Sequence, residues 1–150
     1  MKLDRFYDPE NRYTEGFLKE FKHWNLEVSY LQTTLGSFII FSKRNGVEKE
    51  TDLTDEKIIE LREVKREMQE ALSANETFNP DRFNYWQMGN SLHHLHYHGI
   101  PRYLSPRVFD GKEWIDPDPR GIPQWAHEDS GHDLVRKLRD AIKPFIGDVT

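Results

Sequence analysis

The stretch LHHLHYHGI, residues 92–100, is the most unusual part of the chain, because four of its nine residues are histidine. Its alternation is typical of a β-strand, in which every second side chain lies on the same face. His94, His96 and His98 would then share one face, with successive imidazoles about 6–7 Å apart. Pro101 ends the strand, since it has no N–H to donate to a neighbour. The stretch therefore predicts a strand that carries a row of three imidazoles.

Such a row has three interpretations. It can be an incidental, solvated face. It can bind zinc or copper through neutral imidazoles, although three ligands in a straight row rarely converge on a tetrahedral ion, and no carboxylate is close in sequence. It can also hold a nucleophile that attacks phosphorus, because a neutral imidazole is nucleophilic at pH 7. That interpretation requires an acceptor, often a backbone carbonyl, to hold the other ring N–H. The flanking imidazoles would donate to phosphate oxygens or to the leaving group.

The rest of the chain predicts an α+β domain with a mostly antiparallel sheet. Residues 26–32 alternate as a strand, and residues 37–43 form an apolar strand buried on both faces. A third strand begins at Arg82 and contains Phe83 and Tyr85. The row of imidazoles lies on the fourth strand.

Three helices are predicted around these strands. The long helix after the second strand has Thr54 as its N-cap and an apolar stripe that we assign to the core: Ile58, Leu61, Val64, Met68 and Leu72. A C-terminal helix begins at a capping box formed by Ser130 and Asp133. A short helix through residues 17–21 would be capped by Thr14.

Composition limits the classes of function. The 150 residues are 13% aromatic, which is enough to build the core of one domain over residues 1–150. A net charge of −5 argues against broad binding to nucleic acid. The absence of cysteine excludes disulfide scaffolds, thiolate metal sites and cysteine nucleophiles. The longest apolar run is too short to cross a membrane and the first residues lack a signal-peptide pattern, so we expect a cytoplasmic protein without a membrane partner.

The segment around the imidazole row resembles the histidine triad (HIT) family of nucleotide hydrolases and transferases, in particular proteins like diadenosine tetraphosphate hydrolase. The family signature alternates three histidines with apolar residues and ends in two apolar positions, and residues 94–100 follow it with one departure, at Gly99. Other similar positions occur in the family's order: Leu35-Gly36, Lys43-Arg44, Phe83-Asn84, Gly89-Asn90-Ser91 and Ile100-Pro101-Arg102. The resemblance covers residues 25–104 and implies a HIT-like fold.

The resemblance also implies roles for individual residues. His96 would attack an α-phosphate to form a nucleotidyl-histidine intermediate, which water would release as a nucleoside monophosphate. His98 would hydrogen-bond the phosphate or leaving group, and His94 would orient His96. Four further positions match residues that contact the substrate's phosphate or leaving group: Asn84, Gly89, Asn90 and Ser91. The implied substrates are dinucleoside polyphosphates or nucleoside phosphoramidates, with no metal or other cofactor, and the implied assembly is a homodimer.

One departure from the family keeps a second function open. Family members often carry a supporting histidine directly after the Lys-Arg pair, and this chain has Asn45 there. An amide can still hydrogen-bond an imidazole, so we expect reduced or altered activity. The alternative function is a non-catalytic or weakly active module that binds nucleotides.

Several other features have two interpretations each. Residues 103–124 are rich in Pro, Gly and Asp and predict a long loop. Three cations in or near it can attract anionic substrates or be solvated: Arg102, Arg107 and Lys112. Trp114 and Trp125 can stack on a base or simply pack.

The polar cluster before the last helix (His127, Glu128, Asp129, His132 and Asp133) can suggest a metal site, but the capping box explains it more simply. His93 should face away from the row.

Overall fold

A computed structural model describes residues 15–43, 49–90, 93–126 and 128–147 of the protein. Its main feature is a five-stranded antiparallel sheet in the order β1-β2-β3-β5-β4. The strands are β1 (Phe17–Glu20), β2 (Trp24–Val28), β3 (Phe38–Ser42), β4 (Arg82–Trp86) and β5 (His96–Arg102). A small hairpin of β6 (Arg107–Phe109) and β7 (Lys112–Trp114) and two helices, α1 (Asp55–Ala74) and α2 (His132–Ile142), complete it. The predicted α+β class is confirmed.

The first strand was not expected, and the helix predicted for residues 17–21 is wrong. A two-residue turn joins β1 to β2, closed by the N–H of Phe21, which donates to the carbonyl of Trp24 (2.8 Å). Only Leu18 of β1 is buried, so a helix here would have had almost no apolar face to pack, whereas a strand pairs with β2 along its length. Because of this extra strand, α1 follows the third strand.

The core lies between one face of the sheet and the two helices. Thr54 caps α1 as predicted, by accepting from the N–H of Lys57 (3.4 Å). All the predicted stripe of α1 is buried except Ile58, which is 47% exposed. At about 100° per residue, Ile58 lies roughly 90° from the centre of the buried stripe.

The opposite face of the sheet holds the imidazole row. Strand β3 is buried on both sides, as predicted. Its Phe41 pairs with His96 of β5, and its Ile39 pairs with His98. On the other side of β5, Trp86 of β4 also pairs with His98. The row is therefore flanked by apolar side chains on both neighbouring strands.

The segment predicted as one long loop has a structure of its own. Asp110 and Gly111 both have positive φ (54° and 70°) and form the tight turn between β6 and β7. After β7, a crossing segment (residues 115–126) passes over the face that carries the imidazoles, as its contacts with Arg102 and His98 show. It connects the hairpin to the candidate site.

The capping box predicted for the last helix is wrong. Gly131, with φ 86°, is the N-cap of α2, and no side chain caps this end. The backbone N–H of Ser130 instead donates to the carbonyl of Tyr30 (2.8 Å), and Asp129 accepts from the N–H of Gly131 (2.8 Å). Attachment to the end of β2 therefore fixes where the helix begins. Its buried residues Val135, Leu138 and Ile142 hold it to the core.

Candidate active site

The three imidazoles lie together in the part of the chain that the structure describes. His96 and His98 are on β5 and His94 lies two residues before its start, and the three residues are 2–8% exposed. The His96 and His98 rings are 4.9 Å apart between centroids, nearly perpendicular. The Phe41 ring lies beside both His94 (6.4 Å) and His96 (5.8 Å). The row is thus a compact cluster packed on an aromatic ring, which excludes the solvated interpretation.

A main-chain hydrogen bond fixes the tautomer of His96. Its Nδ1 lies 2.6 Å from the carbonyl oxygen of His94, and a carbonyl can only accept, so Nδ1 carries the proton. The lone pair of the neutral ring is therefore on Nε2. His94 is held in turn, because its Nε2–H donates to the carbonyl of Ser42 at the end of β3.

Burial keeps His96 and His98 uncharged. Desolvation lowers the pKa of His96, outweighing the hydrogen bond to the His94 carbonyl, which raises it. Desolvation, helped by the nearby charge of His96, lowers the pKa of His98 from 6.5 to about 3. Both imidazoles are consequently neutral at pH 7. A neutral His96 that is protonated on Nδ1 and carries its lone pair on Nε2 has the form that a nucleophile needs.

Two tryptophans border the row at His98. The Trp125 ring stands edge-on to the His98 ring with centroids 4.8 Å apart, and it lies against Trp86 at 5.2 Å with a 38° tilt. Both tryptophans are only partly buried. The sequence analysis left Trp125 undecided and did not single out Trp86, although Trp86 belongs to a predicted strand; its pairing with His98 depends on the register.

Arg102 is a structural residue, so both predictions for it are wrong. It is 2% exposed, and its guanidinium binds both carboxylate oxygens of Asp116 (2.7 and 3.1 Å) and the carbonyls of Asp118 and Gly121 in the crossing segment. It also donates to Oδ1 of Asn84 (2.8 Å). This bond leaves the Asn84 amide N–H groups as the donors that can face a ligand.

Arg107 and the loop tryptophan belong to the scaffold, whereas Lys112 is exposed, as the solvated interpretation expects. Arg107 donates to the carbonyls of Phe78 and Asn79 (2.6 and 2.9 Å). Lys112 lies over the ring of Trp114, 4.3 Å from its centroid, and Trp114 packs against the core.

The structure describes two of the three residues in the segment predicted to approach a phosphate. Gly89 has φ 68°, a conformation that favours glycine, and Asn90 is exposed. His93 is exposed as well. Ser91 and Asn45 lie outside the described residues, as does His127 of the polar cluster before α2.

Neither a metal cluster nor a membrane helix is present in the described parts of the chain. No group of three or more histidine, aspartate or glutamate side chains converges there on a common point. His132, from the polar cluster, instead pairs with Glu15 through Nδ1 (2.9 Å). No described helix is long and apolar enough to cross a bilayer.

Comparison with known proteins places this geometry in a family. Residues 33–104 match the HIT domain, which spans the region from the turn before β3 to the end of β5. Over these residues the chain is similar to the histidine triad (HIT) family. The crossing segment that carries Trp125 lies beyond the matched residues. A search of curated proteins found no match.

Solved structures of HIT proteins share the fold at low sequence identity. A histidine triad protein from Marinobacter aquaeolei VT8 is 18% identical, with a TM-score of 0.61 over 87% of each chain. A Hit-like protein involved in cell-cycle regulation from Bartonella henselae is 15% identical, with a TM-score of 0.66 over 92% of this chain and 91% of that chain. A Plasmodium falciparum diadenosine triphosphate hydrolase in complex with cyclomarin A is 14% identical, with a TM-score of 0.63 over 95% and 92%.

The departure from the HIT signature at Gly99 has a packing cause. Gly99 pairs with Phe38 on one side and Tyr85 on the other, and the Phe38 ring occupies the space above it. A Cβ at residue 99 would lie 2.2 Å from Cζ of Phe38. In this chain the Phe38 ring takes the place of the side chain that the HIT signature expects.

Proposed function

We propose that the protein is a metal-independent nucleotide hydrolase or nucleotidyl transferase that attacks an α-phosphate with His96. The observation that carries the proposal is the 2.6 Å hydrogen bond from His96 Nδ1 to the His94 carbonyl. It leaves Nε2 as the nucleophilic atom. It also stabilises the positive charge that the imidazole gains when Nε2 bonds to phosphorus.

The reaction has two steps. In the first, the Nε2 lone pair forms a bond to the α-phosphorus while the bond to the leaving group breaks and its electron pair departs with that group. A polyphosphate leaves as an anion, whereas an amine must take up a proton. In the second step, water attacks the same phosphorus and the N–P bond breaks, returning its electron pair to Nε2. The water proton goes to solvent and the nucleoside monophosphate is released.

The remaining site residues have supporting roles in the proposal. His98, 4.9 Å from His96 between ring centroids, donates a hydrogen bond to the phosphate or the leaving group. His94 orients His96. The phosphate is held by the Asn84 amide and by the turn of Gly89, Asn90 and Ser91. The proposed substrates are dinucleoside polyphosphates and nucleoside phosphoramidates.

The test compares three proteins: the native chain, His96→Ala and His93→Ala. The last is the matched control, because His93 belongs to the same segment but is exposed. Each is incubated with diadenosine tetraphosphate or with adenosine phosphoramidate in the presence of EDTA, and AMP release is measured. We expect release by the native chain and His93→Ala, none by His96→Ala, and a nucleotidyl adduct in the intact mass of the quenched native protein.

Three outcomes would contradict the proposal. Full activity of His96→Ala would refute a His96 nucleophile. Activity that EDTA abolishes would point to a metal-dependent reaction. Tight binding of AMP by the native chain with no turnover of either substrate would identify the non-catalytic nucleotide-binding module.

A further inference from the structure

Two partly exposed tryptophans, Trp86 and Trp125, form an aromatic surface beside the imidazole row. Trp86 is fixed by the sheet, since it pairs with His98 across β4 and β5. Trp125 arrives from the crossing segment, which Arg102 ties down through Asp116 and Gly121. Large aromatic rings beside a polar cluster offer flat faces on which a ligand can stack. The anchored crossing segment therefore places the Trp125 ring beside the imidazole row.

The position of this surface relates it to one end of the substrate. His96 pairs with Phe41 of β3, while Trp86 lies on the far side of His98, on β4. The Trp125 ring is in contact with the His98 ring, with 4.8 Å between the two centroids. In the proposed function His98 is the residue that meets the leaving group. The tryptophans therefore lie where a leaving group would pass.

We propose that Trp86 and Trp125 form a stacking subsite for a nucleobase carried by the leaving group. The inference rests on the proposed function and deepens it, because it selects dinucleoside polyphosphates over substrates whose leaving group has no base. The two rings are too close for a base to insert between them, so the base stacks on an outer ring face. Every base has a π-face, so the subsite accepts purines and pyrimidines.

The test uses two substrates that differ only in the second nucleoside, diadenosine tetraphosphate and adenosine 5′-tetraphosphate. Both present the same adenosine α-phosphate to His96. Stacking of one base on tryptophan corresponds to a factor of about 5 to 100. Trp125→Ala should therefore lower the ratio of kcat/KM for diadenosine tetraphosphate to kcat/KM for adenosine tetraphosphate by that factor, because only the dinucleotide loses a stacked base. Trp125→Phe should recover most of the loss, and Trp114→Phe is the control at a tryptophan packed on the core.

Calorimetric binding of the same two nucleotides to the native chain and Trp125→Ala separates this inference from the proposed function. If the native chain turns over neither substrate but prefers the dinucleotide, and Trp125→Ala abolishes the preference, the subsite stands and the proposed function fails. Equal loss for both substrates in Trp125→Ala would show that Trp125 supports the triad or the attacked nucleotide, and would overturn the subsite. An unchanged preference in Trp125→Ala, or no preference in the native chain, would overturn it as well.

Discussion

Replacing Arg102 with methionine should destabilise the protein strongly, because Arg102 is the only cation shown to pair with the buried Asp116 carboxylate among the described residues. The side chains of Arg102 and Asp116 are each 2% exposed. Removal of the guanidinium leaves Asp116 buried and charged, and breaking a buried pair in this way costs about 3–5 kcal/mol. In a chain of this size each kcal/mol lowers Tm by about 2–4 °C, so the Tm should fall by about 6–20 °C.

Two matched variants separate the unpaired charge from lost packing. In Arg102→Met/Asp116→Leu both partners become apolar, and such replacements are often close to neutral, so most of the loss should be recovered. Arg107→Met removes a half-exposed arginine that binds carbonyls and Ser105 and, within the described residues, pairs with no carboxylate; it should cost about 1 kcal/mol.

The assay is urea unfolding, in which a shift of the midpoint at constant m reports stability. A near-ultraviolet dichroism signal from the Trp86–Trp125 pair, measured on the folded variant, should change in Arg102→Met because the crossing segment loses its anchor. The reasoning is wrong if Arg102→Met loses less than about 1 kcal/mol, or if the double variant is no more stable than the single one.

Three further predictions concern pH, packing and assembly. Burial lowers the pKa of His98 from 6.5 to about 3, so between these two pH values the unfolded chain binds a proton that the folded chain does not. The free energy of unfolding is therefore highest above pH 6.5 and falls as the pH drops toward 3, with a loss of about 2 kcal/mol at pH 5. Urea midpoints at pH 7.5 and 5 should therefore differ less in His98→Gln than in the native chain, and an equal difference would exclude His98 as the cause. Gly99→Ala should cost about 1–3 kcal/mol by forcing Cβ into the Phe38 ring, and Gly99→Ala/Phe38→Leu should regain part of it in the same assay; an unaffected Gly99→Ala would contradict the contact. Light scattering should give twice the chain mass, as the family resemblance implies, and a monomer would remove the predicted homodimer.

The sequence was informative wherever local patterns decide the structure. The alternation through residues 92–100 predicted a strand and the shared face of the imidazoles, because side-chain period follows directly from strand geometry. The predicted ends were wrong, since β5 begins at His96 and continues through Pro101 to Arg102. The spacing of Leu61, Val64, Met68 and Leu72 likewise predicted the buried face of α1. The prediction that one domain spans residues 1–150 remains a prediction.

Long-range contacts explain most of what was missed. Nothing in the sequence near Arg102 indicates that its charge meets Asp116, and nothing near Trp125 indicates that it reaches His98. The β6–β7 hairpin is different, because its signal was present: Asp110-Gly111 between short apolar runs is the dipeptide that two-residue hairpin turns favour. The surrounding Pro, Gly and Asp made the segment resemble a plain loop.

The oxygen that fixes the tautomer of His96 belongs to the main chain, and this makes the arrangement robust to mutation. In catalytic groups where an aspartate side chain holds the imidazole, one codon change deletes the acceptor. Here any residue at position 94 still supplies a carbonyl, and what a substitution there would remove is the ring's bond to the Ser42 carbonyl. A substitution at position 94 can therefore weaken the packing of the imidazoles, but the carbonyl that accepts from His96 Nδ1–H remains. Only altered backbone chemistry, such as an ester in place of the amide after His94, would weaken the acceptor itself.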